Sequence, residues 1–255
     1  MTETTGRPRV LALWSAPRCR STAFARMMIE RGDFTVLHEP FSRLMDFGAV
    51  AVADAEVRSE PDLIAAIREL SRRGPVFFKD TTDFRFPGLL EDRRFLAEAT
   101  HSFIVRDPAA AIASHYALNP DLKRDEVGFA RLHEIYRACA PHAERPPAII
   151  SAEDLVERPE ALVRAYCRAV GVPFMPEALS WRPGMDPGWE RTRRWHESVG
   201  RTAGFTGGSG SYRHTVDNHE TLAEYFDHHL PYYRSLYRDR LLPLETDERS
   251  PSGSR

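Results

Sequence analysis

The sequence predicts an α/β fold in which helices cover a doubly wound parallel sheet. Three observations lead to this prediction. Short apolar runs of strand length recur along the chain, segments with helical periodicity separate them, and 255 residues are enough to bury a substantial core. Strands that alternate with helices in this way favour a parallel sheet.

Five apolar runs are predicted strands. The first, 10–14, is wholly apolar and stands directly before a polar turn. The other four lie at 34–37, at 75–80, within "HSFIV", and at 148–150. In sheets of this kind ligands bind at the carboxyl ends of strands, so the turns after the first four strands are the expected functional positions.

Helices are predicted between and after these strands. Phe24, Met27 and Met28 mark one face of the first helix, and Asp107 and Pro108 supply the N-cap and first turn of another. The others are expected at 61–72 with Ser59 as N-cap, at 126–140, at 159–170 before Gly171, and at 219–240 with an interruption at Pro231.

The sequence predicts a single domain over residues 9–244. The ends, 1–8 and 245–255, have the composition of disordered tails. Residues 181–213 are rich in Gly, Pro, Arg and Trp and lack clear periodicity, so we expect a lid or acceptor-facing loop region there rather than a second domain.

The composition excludes several classes of protein. The 35 basic and 37 acidic residues give a net charge of −2, so binding to nucleic acid or to a membrane surface is not expected. Cys19, Cys139 and Cys167 show no CxxC spacing and predict neither a disulfide framework nor a zinc cluster. No run approaches a signal-peptide core or the roughly 20 apolar residues of a membrane span. A cytoplasmic protein is therefore expected.

The turn after the first strand, "APRCRST", has the composition of an anion site. Arg18 and Arg20 supply fixed positive charge, Ser21 and Thr22 supply hydroxyl donors, and the next helix begins with unpaired backbone N–H groups. Phosphate or sulfate is the expected guest. The alternative is an arginine-decorated turn that Ser21 merely caps.

Spacing distinguishes two other phosphate-loop chemistries. A kinase or ATPase loop requires GxxxxGK[ST], and the turn has neither the glycines nor the lysine. A phosphatase-type loop needs an arginine six positions after its cysteine; from Cys19 that position is Ala25, and Arg26 misses it by one. Because a helix N-terminus lowers the pKa of a thiol, a Cys19 nucleophile stays open as a minor alternative.

A second anion-binding pair follows the fourth strand. Arg106 leaves the strand end, and Ser114 lies eight residues further on, about two helical turns into the next helix. Together they could bind another anionic group. The alternative is that Arg106 pairs with Asp107 and Ser114 only packs.

These motifs resemble the sulfotransferases that use 3′-phosphoadenosine-5′-phosphosulfate (PAPS). In that family a strand–loop–helix of the type P-[KR]-x-G-[ST]-T binds the 5′-phosphosulfate, and an arginine with a serine eight residues downstream binds the 3′-phosphate. Residues 17–22, "PRCRST", are similar to the first motif, and Arg106 with Ser114 to the second. Residues 148–174 are similar to the family's Y-E-D-L…P…G-[LV]-P segment, so the resemblance spans about 10–174.

The resemblance implies a three-layer fold like that of the P-loop nucleoside-triphosphate hydrolases, with PAPS as co-substrate, PAP as product and no metal. It also implies that "GGSGSYRH", 207–214, closes over the nucleotide as the family's C-terminal glycine–basic loop does. The residues it assigns to nucleotide binding are Arg18, Cys19, Arg20, Ser21, Thr22, Arg106, Ser114, Ser211, Tyr212 and Arg213.

Three positions depart from the family pattern. Arg20 stands where the family usually has glycine, and Ala152 replaces a tyrosine that would contact adenine. Eukaryotic cytosolic members carry a K-x-H pair after a strand, whereas "FFKDTTD" keeps Lys79 and has Thr81 in place of the histidine.

The expected catalytic groups follow from the charges of sulfuryl transfer. Negative charge grows on the oxygen that bridges to the 5′-phosphate, and Arg18 and Lys79 are the predicted groups that stabilise it. The acceptor must also lose a proton, and Glu39 in "LHEPF" is the predicted base, as in some bacterial relatives. Glu39 could instead pair with an arginine of the loop.

Other bases stay open. His38 is the runner-up, although alternation along a strand would point its side chain away from that of Glu39. Asp80 and Asp83 are further candidates. The histidines of "HTVDNHE" and "DHH" lack a persuasive ligand geometry, so no metal is expected.

The function predicted from the sequence is transfer of a sulfuryl group from PAPS to a hydroxyl or amine of a small molecule. The sulfate ester could be the final product or a leaving group for a later elimination or cyclisation. The alternatives are a non-catalytic PAPS-, PAP- or anion-binding subunit of a heteromeric enzyme and a P-loop phosphotransferase. The expected partner is the small-molecule acceptor, with no nucleic acid and no membrane; a homodimer and a heterodimer both stay open.

Overall fold

The structure, a computed structural model, describes residues 7–207 and 211–244. The predicted tails at 1–8 and 245–255 therefore lie almost wholly outside the described residues. The described residues contain seven strands: β1 (Val10–Ser15), β2 (Thr35–His38), β3 (Val50–Val52), β4 (Ala55–Val57), β5 (Val76–Thr81), β6 (Thr100–Val105) and β7 (Ala148–Ser151).

Five of the strands form a parallel sheet in the order β2-β5-β1-β6-β7, and β3 and β4 form a separate antiparallel hairpin. The predicted α/β fold with a parallel sheet is confirmed. Because β1 is central, the carboxyl ends of its neighbours β5 and β6 lie beside the turn that follows Ser15.

Eleven helices have been located in the described residues. They are α1 (Ser21–Arg31), α2 (Pro40–Phe47), α3 (Glu60–Arg73), α4 (Pro87–Glu91), α5 (Arg93–Glu98), α6 (Pro108–Tyr116), α7 (Phe129–Cys139), α8 (Ala152–Glu157), α9 (Pro159–Val170), α10 (Glu197–Gly200) and α11 (Glu220–Arg238). Short 3₁₀ segments add Arg124–Val127, Ala140–His142, Pro176–Leu179 and Pro187–Trp195.

The side chains of β1 show why the fold has three layers. Val10, Ala12 and Trp14 pack into one core with residues of α2, α3, α7 and α11, and Leu11 and Leu13 pack into a second core with α1 and α9. Successive strand residues point to opposite faces, so an uninterrupted apolar run needs helices on both faces. All of these β1 side chains are buried.

Two details of the predicted helices are wrong, the start of one and an interruption within another. The helix expected from 126 begins at Phe129, because Gly128 has a φ of 87° and separates α7 from the 3₁₀ turn before it. No interruption occurs at Pro231, since α11 runs through it. A proline removes one backbone hydrogen bond, and here the helix is held by aromatic residues packed on the core, among them Tyr232 and Tyr233.

Among the described residues, no helix combines the length and the apolar character that crossing a bilayer requires.

Candidate active site

A cavity of about 420 Å³ opens at the carboxyl edge of the sheet. The loop after β1, the ends of β2 and β5, the residue that follows β6 and the last turn of α6 contribute to its wall. Nine residues between 192 and 206 also line it, so part of the segment expected to be a lid or loop region, 181–213, lines this cavity; this segment is called the lid below. The lining includes nine predicted site residues: Arg18, Arg20, Ser21, Thr22, Glu39, Lys79, Arg106, Ser114 and Tyr212.

The loop "APRCRST" keeps the backbone of a glycine-containing loop without its glycine. Arg18 and Arg20 have φ values of 66° and 65°, in the left-handed region. A non-glycine residue there costs about 1 kcal/mol or more, which explains why the family pattern has glycine at the position of Arg20. The Arg20 guanidinium donates to the carbonyl oxygen of Thr206 at 2.7 Å. Arg20 thus connects the loop to the lid.

The two predicted anion-binding motifs lie side by side. Arg106 Nη1 donates to the backbone oxygen of Arg18 at 3.0 Å, and Arg18 Nε donates to Ser114 Oγ at 3.1 Å. Asp107 caps α6 through Ala110 N and is not the group that Arg106 binds. Burial lowers the pKa of Arg18, and the nearby charge of Arg106 lowers it further. Two neighbouring guanidinium groups thus favour an anion between them.

Lys79 and Glu39 form an ion pair in the cavity wall. Lys79 Nζ donates to Glu39 Oε1, and the two residues are only 1% and 9% exposed. Burial by itself would raise the pKa of Glu39, but Lys79, together with His38 and His196, holds it well below its usual range. Glu39 is therefore ionised and pairs with Lys79, not with the loop arginines as the alternative interpretation had it.

Asp80 holds the start of α2, directly after Glu39, to β5. Its carboxylate accepts hydrogen bonds from Phe41 N at 2.6 Å and from Ser42 N at 3.1 Å, both at the start of α2. It also accepts from Ser42 Oγ and Thr81 N. Burial is the main reason that the pKa of Asp80 rises to about 7. These four hydrogen bonds occupy Asp80, which leaves it as a positioning residue.

The expectation that His38 points away from Glu39 is wrong. Alternation holds only for extended backbone, and Glu39 has a φ of 52° as the N-cap of α2. The turn brings both side chains to the same side, with His38 Nε2 3.6 Å from Glu39 Oε2. His38 is therefore part of the cavity region, and burial lowers its pKa well below the ordinary value.

His196 is the main residue that the sequence did not reveal. The lid brings it between the loop and β2: its Nδ1 lies 3.2 Å from Thr22 Oγ1 and its Nε2 lies 3.3 Å from His38 Nε2. Thr192 Oγ1 is 3.1 Å from the same Nε2. Burial lowers the pKa of His196 to about 4. The only sequence signal was a histidine within an aperiodic segment.

Cys19 does not have the surroundings of a nucleophile. It is fully buried, and burial raises the pKa of its thiol to about 12. The sulfur lies 3.8 Å from the carbonyl oxygen of Pro17. The thiolate that a phosphatase-type loop requires is therefore disfavoured, and Cys19 packs beneath the loop.

Asp83 is a second carboxylate of the cavity wall. Its Oδ1 is buried and has no hydrogen-bond partner among the described residues. Burial raises the pKa of Asp83 to about 6. Asp83 therefore stays open as an alternative base.

A second cavity of about 820 Å³ adjoins the first, and Arg20, Arg106 and Tyr212 line both. Ala152 lies in its wall, where the family's tyrosine would take up part of the space. Ser211 also lines it, whereas Arg213 is exposed and lines neither cavity. Residues 208–210 of the expected closing loop lie outside the described residues.

Comparison with known proteins gives the family. Residues 9–239 match the model of the sulfotransferase domain. The chain belongs to the sulfotransferase family. This membership supports sulfuryl transfer in general. The predicted resemblance is confirmed.

Two curated relatives are much longer than this sulfotransferase-family chain. It is 28% identical over 208 residues to branched-chain-amino-acid aminotransferase-like protein 2 of Arabidopsis thaliana, covering 77% of this chain and 36% of that protein. Protein 1 of the same name and organism is 26% identical over 215 residues, covering 78% and 37%. The chain thus spans about a third of the length of these curated relatives.

Two solved sulfotransferase structures are similar to the chain. The enzyme from Alicyclobacillus acidocaldarius is 15% identical with a TM-score of 0.43, covering 78% of this chain and 98% of that chain. The sulfotransferase domain of the Synechococcus PCC 7002 olefin synthase is 14% identical with a TM-score of 0.43, covering 89% and 97%.

Proposed function

We propose that this chain transfers the sulfuryl group of PAPS to a hydroxyl or amine of a small molecule. The observation that carries the proposal is the convergence of two anion-binding motifs with a buried Lys–Glu pair on one cavity. Arg18, Arg106 and Ser114 offer charge and hydrogen bonds to the phosphates of a nucleotide. The adjoining second cavity offers room for the rest of the nucleotide.

Arg18 and Lys79 would stabilise the transition state. As the sulfur–oxygen bond to the donor breaks, negative charge grows on the bridging oxygen, and fixed positive groups favour that state over the ground state. Both side chains line the cavity and both are shielded from water, where such charges act most strongly. Removing one such group costs roughly 100- to 1,000-fold in turnover.

Glu39 would take the proton of the acceptor, and Lys79 would control when it can. In the resting pair, Lys79 holds the pKa of Glu39 too low for an effective base. If the donor draws the ammonium toward its bridging oxygen, Glu39 loses its partner while it remains buried, and burial raises the pKa of a carboxyl group. Donor binding and base activation are then one event.

Turnover of PAPS with a panel of alcohols and amines tests the proposal through the release of PAP and a labelled sulfated product. We expect Lys79→Met and Glu39→Gln to lower kcat by at least about 100-fold, while PAP still binds. Lys123, the other lysine of the chain, is exposed, so Lys123→Met is the matched control and should keep full turnover. Binding of PAP without turnover of any acceptor would favour the non-catalytic subunit, and turnover that survives both substitutions would refute the assigned roles.

A further inference from the structure

Two histidines and a glutamate meet between the lid and the sheet. His38 and Glu39 stand at the end of β2, and His196 comes from the lid 158 residues later. Their ligand atoms converge: the two Nε2 atoms are 3.3 Å apart, and Glu39 Oε2 lies 3.6 Å from His38 Nε2 and 3.9 Å from His196 Nε2. All three residues are buried or nearly so.

These separations match those of a tetrahedral metal site. A zinc ion with bonds of about 2.1 Å to nitrogen and oxygen holds its ligand atoms about 3.4 Å apart. The three observed separations lie within about half an ångström of that value. We propose that His38, Glu39 and His196 form a binding site for a divalent transition-metal cation such as Zn²⁺ or Co²⁺.

The surroundings of His196 favour Nε2 as its ligand atom. Its other nitrogen, Nδ1, faces the hydroxyl of Thr22 at 3.2 Å, and a hydrogen bond on one ring nitrogen fixes the tautomer that leaves a lone pair on the other. The lone pair on Nε2 faces Thr192 Oγ1 at 3.1 Å, so a cation would replace that contact. Thr22 thus takes the place of the outer partner that metal-binding histidines usually have. The cavity beside His196 gives room for a water molecule as the fourth ligand.

Lys79 sets the strength and selectivity of the site. It occupies Glu39 Oε1, so Oε2 is the oxygen that faces the two histidines. The ammonium repels a cation, so binding should be weaker than at a dedicated zinc site. Two imidazoles select Zn²⁺, Co²⁺, Ni²⁺ or Cu²⁺ over Mg²⁺ and Ca²⁺, which prefer oxygen ligands.

The bound cation would inhibit rather than assist. It would hold the lid to the end of β2 through His196, and it would occupy the Glu39 oxygen that is needed to accept a proton. The inhibition rests on the proposed function, whereas the binding does not. The reaction itself is still expected to need no metal.

Titration of chelator-treated, untagged protein with Co²⁺ tests the site without any nucleotide. We expect one cation per chain with the strong visible absorption of tetrahedral cobalt, displaced by Zn²⁺ and not by Mg²⁺. Loss of an outer hydrogen-bond partner weakens metal binding by roughly 10- to 100-fold. His196→Gln and His38→Gln each remove a ligand and should therefore weaken Co²⁺ binding by more than that. Thr22→Val should weaken it by about 10-fold.

His228 provides the matched control, because its ring also lies beside another histidine, with the centroids of His228 and His229 4.8 Å apart. His228→Gln should bind Co²⁺ as the wild type does. Weak octahedral absorption, or a loss of binding in His228→Gln equal to that in His196→Gln, would overturn the proposal.

Limited trypsin digestion provides a second measurement, because Arg191, Arg193 and Arg194 are exposed in the lid. Zn²⁺ should slow cleavage there in the wild type and not in His196→Gln, provided that both have the same circular dichroism. Equal cleavage with and without Zn²⁺ in the wild type would overturn the lid contact. If Co²⁺ binds but PAP does not, the proposed function fails while the metal site stands, and the reverse result rejects the metal site alone.

Discussion

Replacing one member of the Lys79–Glu39 pair should destabilise the protein far more than replacing both. Lys79 is 1% exposed and Glu39 9%, so Lys79→Met leaves a buried carboxylate without its cation, and Glu39→Gln leaves a buried ammonium without its anion. An uncompensated buried charge costs about 3–5 kcal/mol. In a chain of this length each kcal/mol lowers the Tm by about 2–4 °C, so each single variant should lose roughly 6–20 °C.

The double variant Lys79→Met/Glu39→Gln removes both charges and keeps the volume of both side chains. It should be more stable than either single variant, so the loss of unfolding free energy in the double variant should fall several kcal/mol short of the sum of the single losses. Urea unfolding of the four proteins, followed by circular dichroism, measures this coupling. An additive double variant would refute the assignment of a buried ion pair.

The pH dependence gives an independent check on the same pair. In Lys79→Met, burial should raise the pKa of Glu39 in the folded protein above that in the unfolded chain. The folded state then holds the proton more tightly, so the variant should lose stability as the pH rises above about 4.3 and regain it as the pH falls. The same stability difference between the variant and the wild type at pH 5 and at pH 8 would contradict this reasoning.

Three further predictions concern neighbouring residues. Because burial raises the pKa of Asp83 to about 6, this carboxyl group should cost the wild type at most about 3 kcal/mol of stability as the pH rises from 4 to 6. Asp83→Asn should remove that loss. Urea unfolding across this pH range measures it, and an unchanged dependence on pH would refute the prediction. Cys19 should not react with a thiol reagent until the protein is unfolded, and rapid labelling of the native protein at this residue would contradict its burial. Arg20→Gly should change stability by less than about 1 kcal/mol, because glycine relieves the strain of the left-handed backbone but adds entropy to the unfolded chain. It should weaken PAP binding by up to about tenfold, because the hydrogen bond to Thr206 is lost. A thermal melt measures the stability and calorimetry the binding, and unchanged PAP binding would refute the prediction.

The sheet could be predicted because its strands carry their own signal. The apolar runs that form β1, β5 and β6 are buried on both faces, and such runs can be recognised without knowing which strands they pair with. The hairpin β3–β4 was missed because its strands have three residues each, too few for alternation to be seen. α2 was missed because its eight residues follow a left-handed Glu39, and the hydrogen bond that holds its start, from Phe41 N to Asp80, comes from the neighbouring strand.

The site could be predicted only in its local part. The loop lies within one strand–turn–helix and the Arg106–Ser114 pair within another, so each could be recognised from its local spacing. The two strands are neighbours in the sheet, which brings the loop and the pair together. His196 could not be placed, because its contacts with Thr22 and His38 join segments more than 150 residues apart through a lid without periodicity. The orientation of His38 was predicted wrongly for a different reason: Glu39, in the left-handed region, ends the alternation of the strand.

The central proposal is that this cavity holds a 3′-phosphorylated nucleotide, and calorimetric titration with PAP in the absence of metal tests it most directly. We expect one PAP per chain, tighter than ATP with Mg²⁺, and a loss of at least about tenfold in Arg106→Ala and in Ser114→Ala, because each removes a hydrogen bond to a charged phosphate. Lys123→Ala should bind as the wild type does. Preference for ATP with Mg²⁺, or PAP binding that is indifferent to Arg106 and Ser114, would contradict the proposal.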